Sequence, residues 1–347
     1  MIEGLDRLLE GSGQPGLVEL RASLHELFSG PEATGRLIDP QRLKARVYRL
    51  RFEVGGRVRT LVAKCLAPSR AKRNELVAQR WLPAIGLGQN GPPLLGVAAD
   101  RSGQFVWHIY EDLGDWTLDR GDVDPRRVAA AVGLIAQLHT RFAEHALLVE
   151  GRLYGDDRGI YFYTSNVRDA IRGLESLRQP EIELSPQQLA VRDRSLERMY
   201  ALLDEQPQRA QAMAELGGPE TLLHGDLWTT NTFVIPGTGG LHARLIDWDH
   251  AGVGPAAYDL STFLLRFVIQ HRLWIVDLYR EAGGPHGWHL PSAQDLNLLF
   301  DTAECARYAN SVIWPVIAFL EHRAEWAFDM LAEVEQWFQR LEPVLPV

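Results

Sequence analysis

Cysteine is nearly absent: Cys65 and Cys305 are the only two in 347 residues, and they sit in unrelated surroundings. That excludes a disulfide framework and a cysteine-based metal site, and leaves both thiols as packing residues. Long apolar runs are missing too. The longest, Val312 to Leu320, contains Pro315 and falls short of the ~20 residues that a membrane-crossing helix needs. The opening segment Met1–Gly13 has no basic region followed by an apolar stretch, as a secretory leader would. A cytoplasmic protein with no membrane association is expected. Positive charge is also in deficit. A formal net charge of −9 argues against nucleic acid as a partner, because affinity for a phosphate backbone depends on clustered cations. Within that scarce positive charge, lysine is scarcer still. Lys44, Lys64 and Lys72 are the only lysines among 36 Lys and Arg residues, so a lysine inside an apolar strand is not this chain's default choice.

What remains is ordinary: 46% hydrophobic and 23% charged residues, enough for two lobes with cores of their own. Neither an internal repeat nor a low-complexity segment interrupts the chain. The first thirty residues read as helical, with Leu5, Leu8 and Leu9, then Leu17, Leu20, Leu24 and Leu27. From Arg46 the period changes to two. Val47 to Phe52, a Gly55-Gly56 turn and Val58 to Leu66 predict a β-hairpin. A charged helix follows over 69–82, ended by Pro83, and then a strand over 105–110. Beyond Gly114 the spacing of Val128, Val132, Ile135, Leu138 and Phe142 is that of one buried helix face, and further helices are expected over 185–215, 257–281 and 293–340. The reading is an α+β architecture in two parts, a small β-rich lobe over 1–113 and a larger helical lobe over 114–347. They join near Glu111-Asp112-Leu113, and the cleft between them is the natural ligand site.

The chemistry concentrates at 221–247. Thr221-Leu222-Leu223 leads into a polar loop, His224-Gly225-Asp226-Leu227-Trp228-Thr229-Thr230-Asn231, and then into Thr232 to Ile235. Pro236 to Gly240 forms a turn, and Ala243 to Ile246 a second apolar run that ends at Asp247. A hairpin with its turn at Gly239 brings Asn231 and Asp247, each eight residues away, to the same open end. Two oxygen donors at one point suit Mg²⁺, which takes one or two protein oxygens and completes its shell with water and phosphate. Asp226, earlier on the loop, would lie beside the metal without ligating it, placed to orient a hydroxyl and accept its proton.

His224 to Asn231, then Ile246-Asp247-Trp248, then Tyr258-Asp259-Leu260 resemble the aminoglycoside phosphotransferase family of the protein-kinase-like superfamily. Motif order and spacing agree, and the lobe order extends the likeness from about residue 36 to the end. The resemblance implies a bilobal protein-kinase-like fold, ATP and Mg²⁺ as cofactors, Asp226 as catalytic base, and Asn231 and Asp247 as metal ligands. It also implies that Asp259 braces the catalytic loop near His224, which organises that loop. Lys64 resembles the strand lysine that holds nucleotide phosphates, with Glu75 as its ion-pair partner. Glu111 and Leu113 fall where the backbone would meet adenine. The acceptor would be a hydroxyl on a small molecule: aminoglycoside-like, a sugar amine of the fructosamine-kinase type, or another metabolite.

Two departures bear on this reading. Leu37 to Lys44 occupies the place of the glycine-rich phosphate loop without a glycine, and no G-x-x-x-x-G-K-[ST] cradle occurs elsewhere. Only eleven residues separate Asp247 from Asp259, too few for a loop that positions a peptide, which points to a small acceptor. The missing glycine loop motivates a rival reading as a non-catalytic nucleotide-binding pseudokinase or scaffold. Asp249 is open to two readings, a contact for a cationic substrate or an exposed loop acid. Tyr308, Trp314, Glu321 and Trp326 could line an acceptor pocket, but aromatic residues at helical spacing are usually core.

Overall fold

The computed structural model describes residues 2–3, 14–28, 35–118 and 124–346. The chain forms two compact units, Met1–Leu134 with Thr229–His250, and Ile135–Trp228 with Ala251–Val347.

The first unit is built on a six-stranded sheet, β1 (Ile2–Glu3), β2 (Gly35–Lys44), β3 (Val47–Val54), β4 (Arg57–Leu66), β5 (Leu94–Ala99) and β6 (Val106–Glu111), in the order β1-β2-β3-β4-β6-β5. The expected hairpin is β3–β4. Gly55 and Gly56 take φ of 55° and 72°, the left-handed pair that a tight two-residue turn requires. Alternation then sends Tyr48, Leu50 and Phe52 into the core while Arg49 and Arg51 point the other way. Helix α1 (Leu17–Leu27) lays Leu20 and Leu24 on that core beside Trp107 and Ile109, and Trp107 Nε1 donates to the Pro15 carbonyl at 2.8 Å. The expected leucines Leu5, Leu8 and Leu9 lie outside the described residues, and Ile2–Glu3, read as helical, pair with β2 instead.

Helix α2 (Pro68–Leu76) buries Ala71 and Asn74. It does not end before Pro83. A π-helical stretch, Val77–Trp81, carries it into the short turn Leu82–Ala84, with Leu82 N–H donating five residues back to Val77. Proline is tolerated there because it sits in the first turn of a new segment, where its missing N–H has no helical partner.

The second pair of strands in this unit is β9 (Thr232–Gly237) and β10 (Gly240–Leu245), antiparallel from Leu245↔Thr232 to Gly240↔Gly237. The turn is Thr238-Gly239, so the symmetry point lies half a residue before Gly239. Asn231 therefore faces Ile246, whose N–H donates to the Asn231 carbonyl at 3.0 Å, and Asp247 stands one residue beyond.

The second unit is helical around a small three-stranded sheet, β7 (Asp156–Asp157), β11 (Gly252–Pro255) and β8 (Glu220–Leu223). Helix α3 (Pro125–Phe142) ends in it. Its core joins α5 (Ile160–Ser176), α6 (Pro186–Asp204), α10 (Ala293–His322) and α11 (Ala327–Gln339) through Tyr163, Met199, Cys305, Val312 and Leu331. Each long helical span expected from the sequence divides in two. Pro207 starts α7 (Gln206–Leu216) after α6, α8 (Ala257–Leu264) and α9 (Ile269–Gly283) are separate, and Arg323 breaks the last span with a left-handed φ of 51°. Helix α4 (Leu148–Tyr154) and α5 were not expected, although Tyr163, Val167, Ala170 and Leu174 of α5 recur at helical spacing on one buried face. Both cysteines are buried and free, and burial pushes the Cys305 thiol up to about 12. Among the described residues, no helix is long and apolar enough to cross a membrane.

Candidate active site

In the first unit, Lys64, Glu111, Leu113, Asn231 and Asp247 line one cleft of about 440 Å³, within the size range of small-ligand pockets. Lys64 stands on the central strand β4, paired with His108 on one side and Val47 on the other. Its Nζ lies 2.5 Å from Asp247 Oδ1 and 2.7 Å from Asp249 Oδ1. The expected Lys64–Glu75 pair does not form among the described contacts. On α2 the buried inward position belongs to Asn74, whose Nδ2 donates to Asp249 Oδ1 at 2.9 Å. Glu75, one residue round the helix, faces His108 Nε2 at 3.4 Å, and His108 Nδ1 lies 2.7 Å from the Tyr110 hydroxyl. Burial holds the His108 pKa below the usual histidine range, against the opposing pull of Glu75. The contact is therefore a hydrogen bond to a neutral imidazole rather than an ion pair.

Asp249 is neither exposed nor open to solvent substrates in the way the sequence allowed. It is 8% exposed, with its carbonyl accepting from Arg73 Nη1 at 2.6 Å. Asp247 does face the cleft. It takes φ of 67°, a left-handed conformation that costs a non-glycine residue on the order of 1–2 kcal/mol. Lys44, at the end of β2 before a two-residue turn, also lines the cleft, with Nζ 3.8 Å from Asp247 Oδ2. Where the glycine loop is missing, the structure has a hairpin whose register breaks between Leu37 and Asp39 and between Arg42 and Lys44, and a lysine at its tip. At the other end of the cleft, the Glu111 N–H donates to the Pro93 carbonyl at 3.1 Å and the Asp112 N–H to the Thr60 carbonyl at 3.3 Å. Arg49 Nε grips Asp112 Oδ2 at 2.9 Å, which stiffens the 111–113 segment.

An amide oxygen and a carboxylate are hard donors, and the pair Asn231 and Asp247 fits Mg²⁺ held jointly with phosphate and water. No group of three or more His, Cys, Asp or Glu among the described residues is arranged to hold a metal by itself.

In the second unit, the loop that carries Asp226 is fixed by a buried carboxylate. Asp259, on α8, accepts from His224 N–H at 2.7 Å through Oδ2 and from Gly225 N–H at 2.9 Å through Oδ1. His139 Nε2 lies 3.3 Å from Oδ2, and His139 Nδ1 lies 2.9 Å from the Tyr279 hydroxyl. Burial alone would raise the Asp259 pKa. The hydrogen bond and charge of His139, the nearby His224 and the Gly225 N–H outweigh it and hold the group below the usual carboxylate range. His224 is fully buried, and its Nδ1 lies 3.3 Å from the Asp226 backbone N–H, which donates to it. Gly225 takes φ of 80°, which turns the chain sharply between these two residues. Asp226 itself remains half-buried.

The family model described as "Phosphotransferase enzyme family" matches residues 39–296. The chain belongs to that family. It is a small-molecule kinase. Its α+β fold, with an antiparallel sheet in the N-terminal region and a helical C-terminal part, is the protein-kinase-like fold of the solved structures it resembles. A Plasmodium vivax ethanolamine kinase is 14% identical with a TM-score of 0.54, over 87% of this chain and 81% of that one. The spectinomycin phosphotransferase APH(9)-Ia, solved with ADP and spectinomycin, is 12% identical with a TM-score of 0.56, over 90% of each chain. The aminoglycoside phosphotransferase APH(3'')-Id from Streptomyces rimosus, solved with ADP and streptomycin, is 17% identical with a TM-score of 0.51, over 84% and 99%. No curated protein sequence matches at a significant level.

Sequence reasoning missed Lys44, Asn74 and His139. The scarcity of lysine was a usable signal for Lys44, since two of the three lysines meet one carboxylate. Asn74 and His139 carry none: each lies on a helix face that a sequence reads only as buried. Of the acceptor candidates, Tyr308 packs edge-on against Phe338, while Trp314 and Trp326 are 63% and 53% exposed.

Proposed function

We propose that this phosphotransferase moves the γ-phosphoryl group of ATP, with Mg²⁺, to a hydroxyl of a small molecule. The observation that carries the reading is the single cleft on which Lys64, Asn231 and Asp247 converge with the 111–113 segment. In this reading Leu113, whose backbone groups make no hydrogen bond among the described residues, meets the adenine edge. Lys64 and Lys44 neutralise phosphate oxygens, Lys44 standing in for amides that a glycine loop would supply. Asn231 and Asp247 hold Mg²⁺, which when bound screens the charge between nucleotide phosphates. Asp226 accepts the acceptor's hydroxyl proton as the new O–P bond forms and the bond to ADP breaks. Positioning and charge neutralisation carry the catalysis, with no covalent enzyme intermediate.

The spectinomycin and streptomycin that the solved relatives hold, and the ethanolamine named for another, are amine-bearing compounds. A polar, amine-bearing alcohol is therefore the first acceptor class to screen. The test follows ADP release against a panel of such acceptors. Mg²⁺-dependent turnover in wild type that falls by roughly 10²–10⁴-fold in Asp226→Ala, with nucleotide affinity retained, supports the reading. Nucleotide binding without turnover on any acceptor favours the pseudokinase instead.

A further inference from the structure

The missing Lys64–Glu75 pair leaves a question of what holds Lys64 in place, and the contacts around Asp249 answer it. Lys64 Nζ has two carboxylate partners, but they differ in situation. Asp247 lines the cleft and faces whatever enters it. Asp249 does not line the cleft; its side chain is 11% exposed, against 25% for Asp247. It is also held from α2, by Asn74, which itself lines the cleft, with Nδ2 on its Oδ1, and by Arg73 Nη1 on its carbonyl. Asn74 is itself 2% exposed and anchored to the Arg70 carbonyl at 2.9 Å. A carboxylate proposed to bind metal would share its charge between the metal and the lysine beside it, whereas the contacts of Asp249 described above are all with protein donors.

The geometry points to Asp249 as the positioning residue for Lys64, with Asn74 orienting its carboxylate. The charged partner thus comes from the segment after β10, and α2 contributes a neutral amide. This inference rests on the proposed nucleotide-binding role of Lys64. It makes Asp249 a positioning residue rather than a catalytic one, since it acts through the ammonium group. It also assigns Glu75 to His108, outside the phosphate site.

The experiment compares wild type, Lys64→Met, Asp249→Asn, Asp249→Glu and the double variant Asn74→Glu/Asp249→Asn. Affinity for ADP is measured by titration without turnover, together with kcat, the KM for ATP and thermal melting. Asp249→Asn is expected to weaken ADP binding and raise the KM for ATP roughly tenfold or more, with a smaller change in kcat. The double variant returns a carboxylate to Lys64 from α2 and is expected to recover most of that affinity. Asp249→Glu should fall between wild type and Asp249→Asn. Unchanged ADP affinity in Asp249→Asn, beside clear weakening in Lys64→Met, overturns the inference and leaves the kinase reading standing. If Asp249→Asn melts far below wild type, a double variant that regains stability without affinity also overturns it, while recovery of both supports it. Wild-type protein that binds neither ADP nor ATP overturns the kinase reading and this inference with it.

Discussion

In the first unit, Asp247 and Asp249 are neutralised by the ammonium group of Lys64, with the second ammonium of Lys44 nearby. In the second unit, Asp259 is neutralised mainly by backbone N–H groups and His139 in full burial. An ammonium on a long side chain can exchange a carboxylate for a phosphate. Backbone amides cannot move without unmaking the loop. The first arrangement holds charge ready for a ligand; the second converts charge into fixed geometry for His224, Gly225 and Asp226. Similar acids thus do different physical work because their partners differ in mobility and exposure.

The sharpest way to break this contrast is Asp259→Asn. It removes a buried charge that satisfies two backbone donors, at a cost of about 3 kcal/mol or more, or a fall in Tm of roughly 6–12 °C for a unit of this size. Activity should fall with it as the Asp226 loop loosens. The sign with pH follows from the direction of the shift. Because the folded pKa of Asp259 is depressed, its contribution is complete above the ordinary carboxylate value and is lost as pH falls through the folded value. Melting curves from neutral to strongly acid pH should therefore show the wild type and Asp259→Asn converging. A constant gap across that range would assign the stability to packing rather than charge.

Lys64→Met should have a smaller effect on stability and a larger one on ligand. It leaves Asp247 and Asp249 without their shared cation, so ADP affinity should drop at least about tenfold, by loss of charge-assisted contacts, while Tm changes by less than in Asp259→Asn. Equal Tm losses in the two variants would erase the distinction between the units. Lys44→Ala is the mildest case. Its side chain is 73% exposed, so a loss of only a few-fold in KM for ATP is expected, and the loss should shrink as salt rises. Titrations at low and high ionic strength test it.

Much of this was legible in the sequence. The β3–β4 hairpin was visible because alternation and Gly55-Gly56 are local signals, and the β9–β10 hairpin because two apolar runs flank a glycine-rich turn. Family motifs located the charged loop and the acids around it. What was not legible depends on rotation about a helix axis. Asn74 and Glu75 are neighbours in sequence, and only the packing of α2 decides which of them meets Asp249 and which meets His108. The same holds for His139, whose ring reaches Asp259 from a helix 120 residues earlier. Helix ends were misjudged for two different reasons: Pro207, which starts α7, was a readable signal passed over, while the break at Arg323 follows a left-handed φ that apolar spacing does not encode.

Neither compact unit is one continuous piece of chain. The first gathers Met1–Leu134 and then waits for Thr229–His250. During synthesis the sheet that bears Lys64 emerges long before Asn231, Asp247 and Asp249, with 135–228 in between, a delay of roughly 5–20 s at ordinary elongation rates. Through that interval the nascent sheet carries Lys64 on a central strand without either of its acids. The cleft is therefore completed late, and a chain cut anywhere before Asp249 has a first unit that lacks at least one of the acids of Lys64.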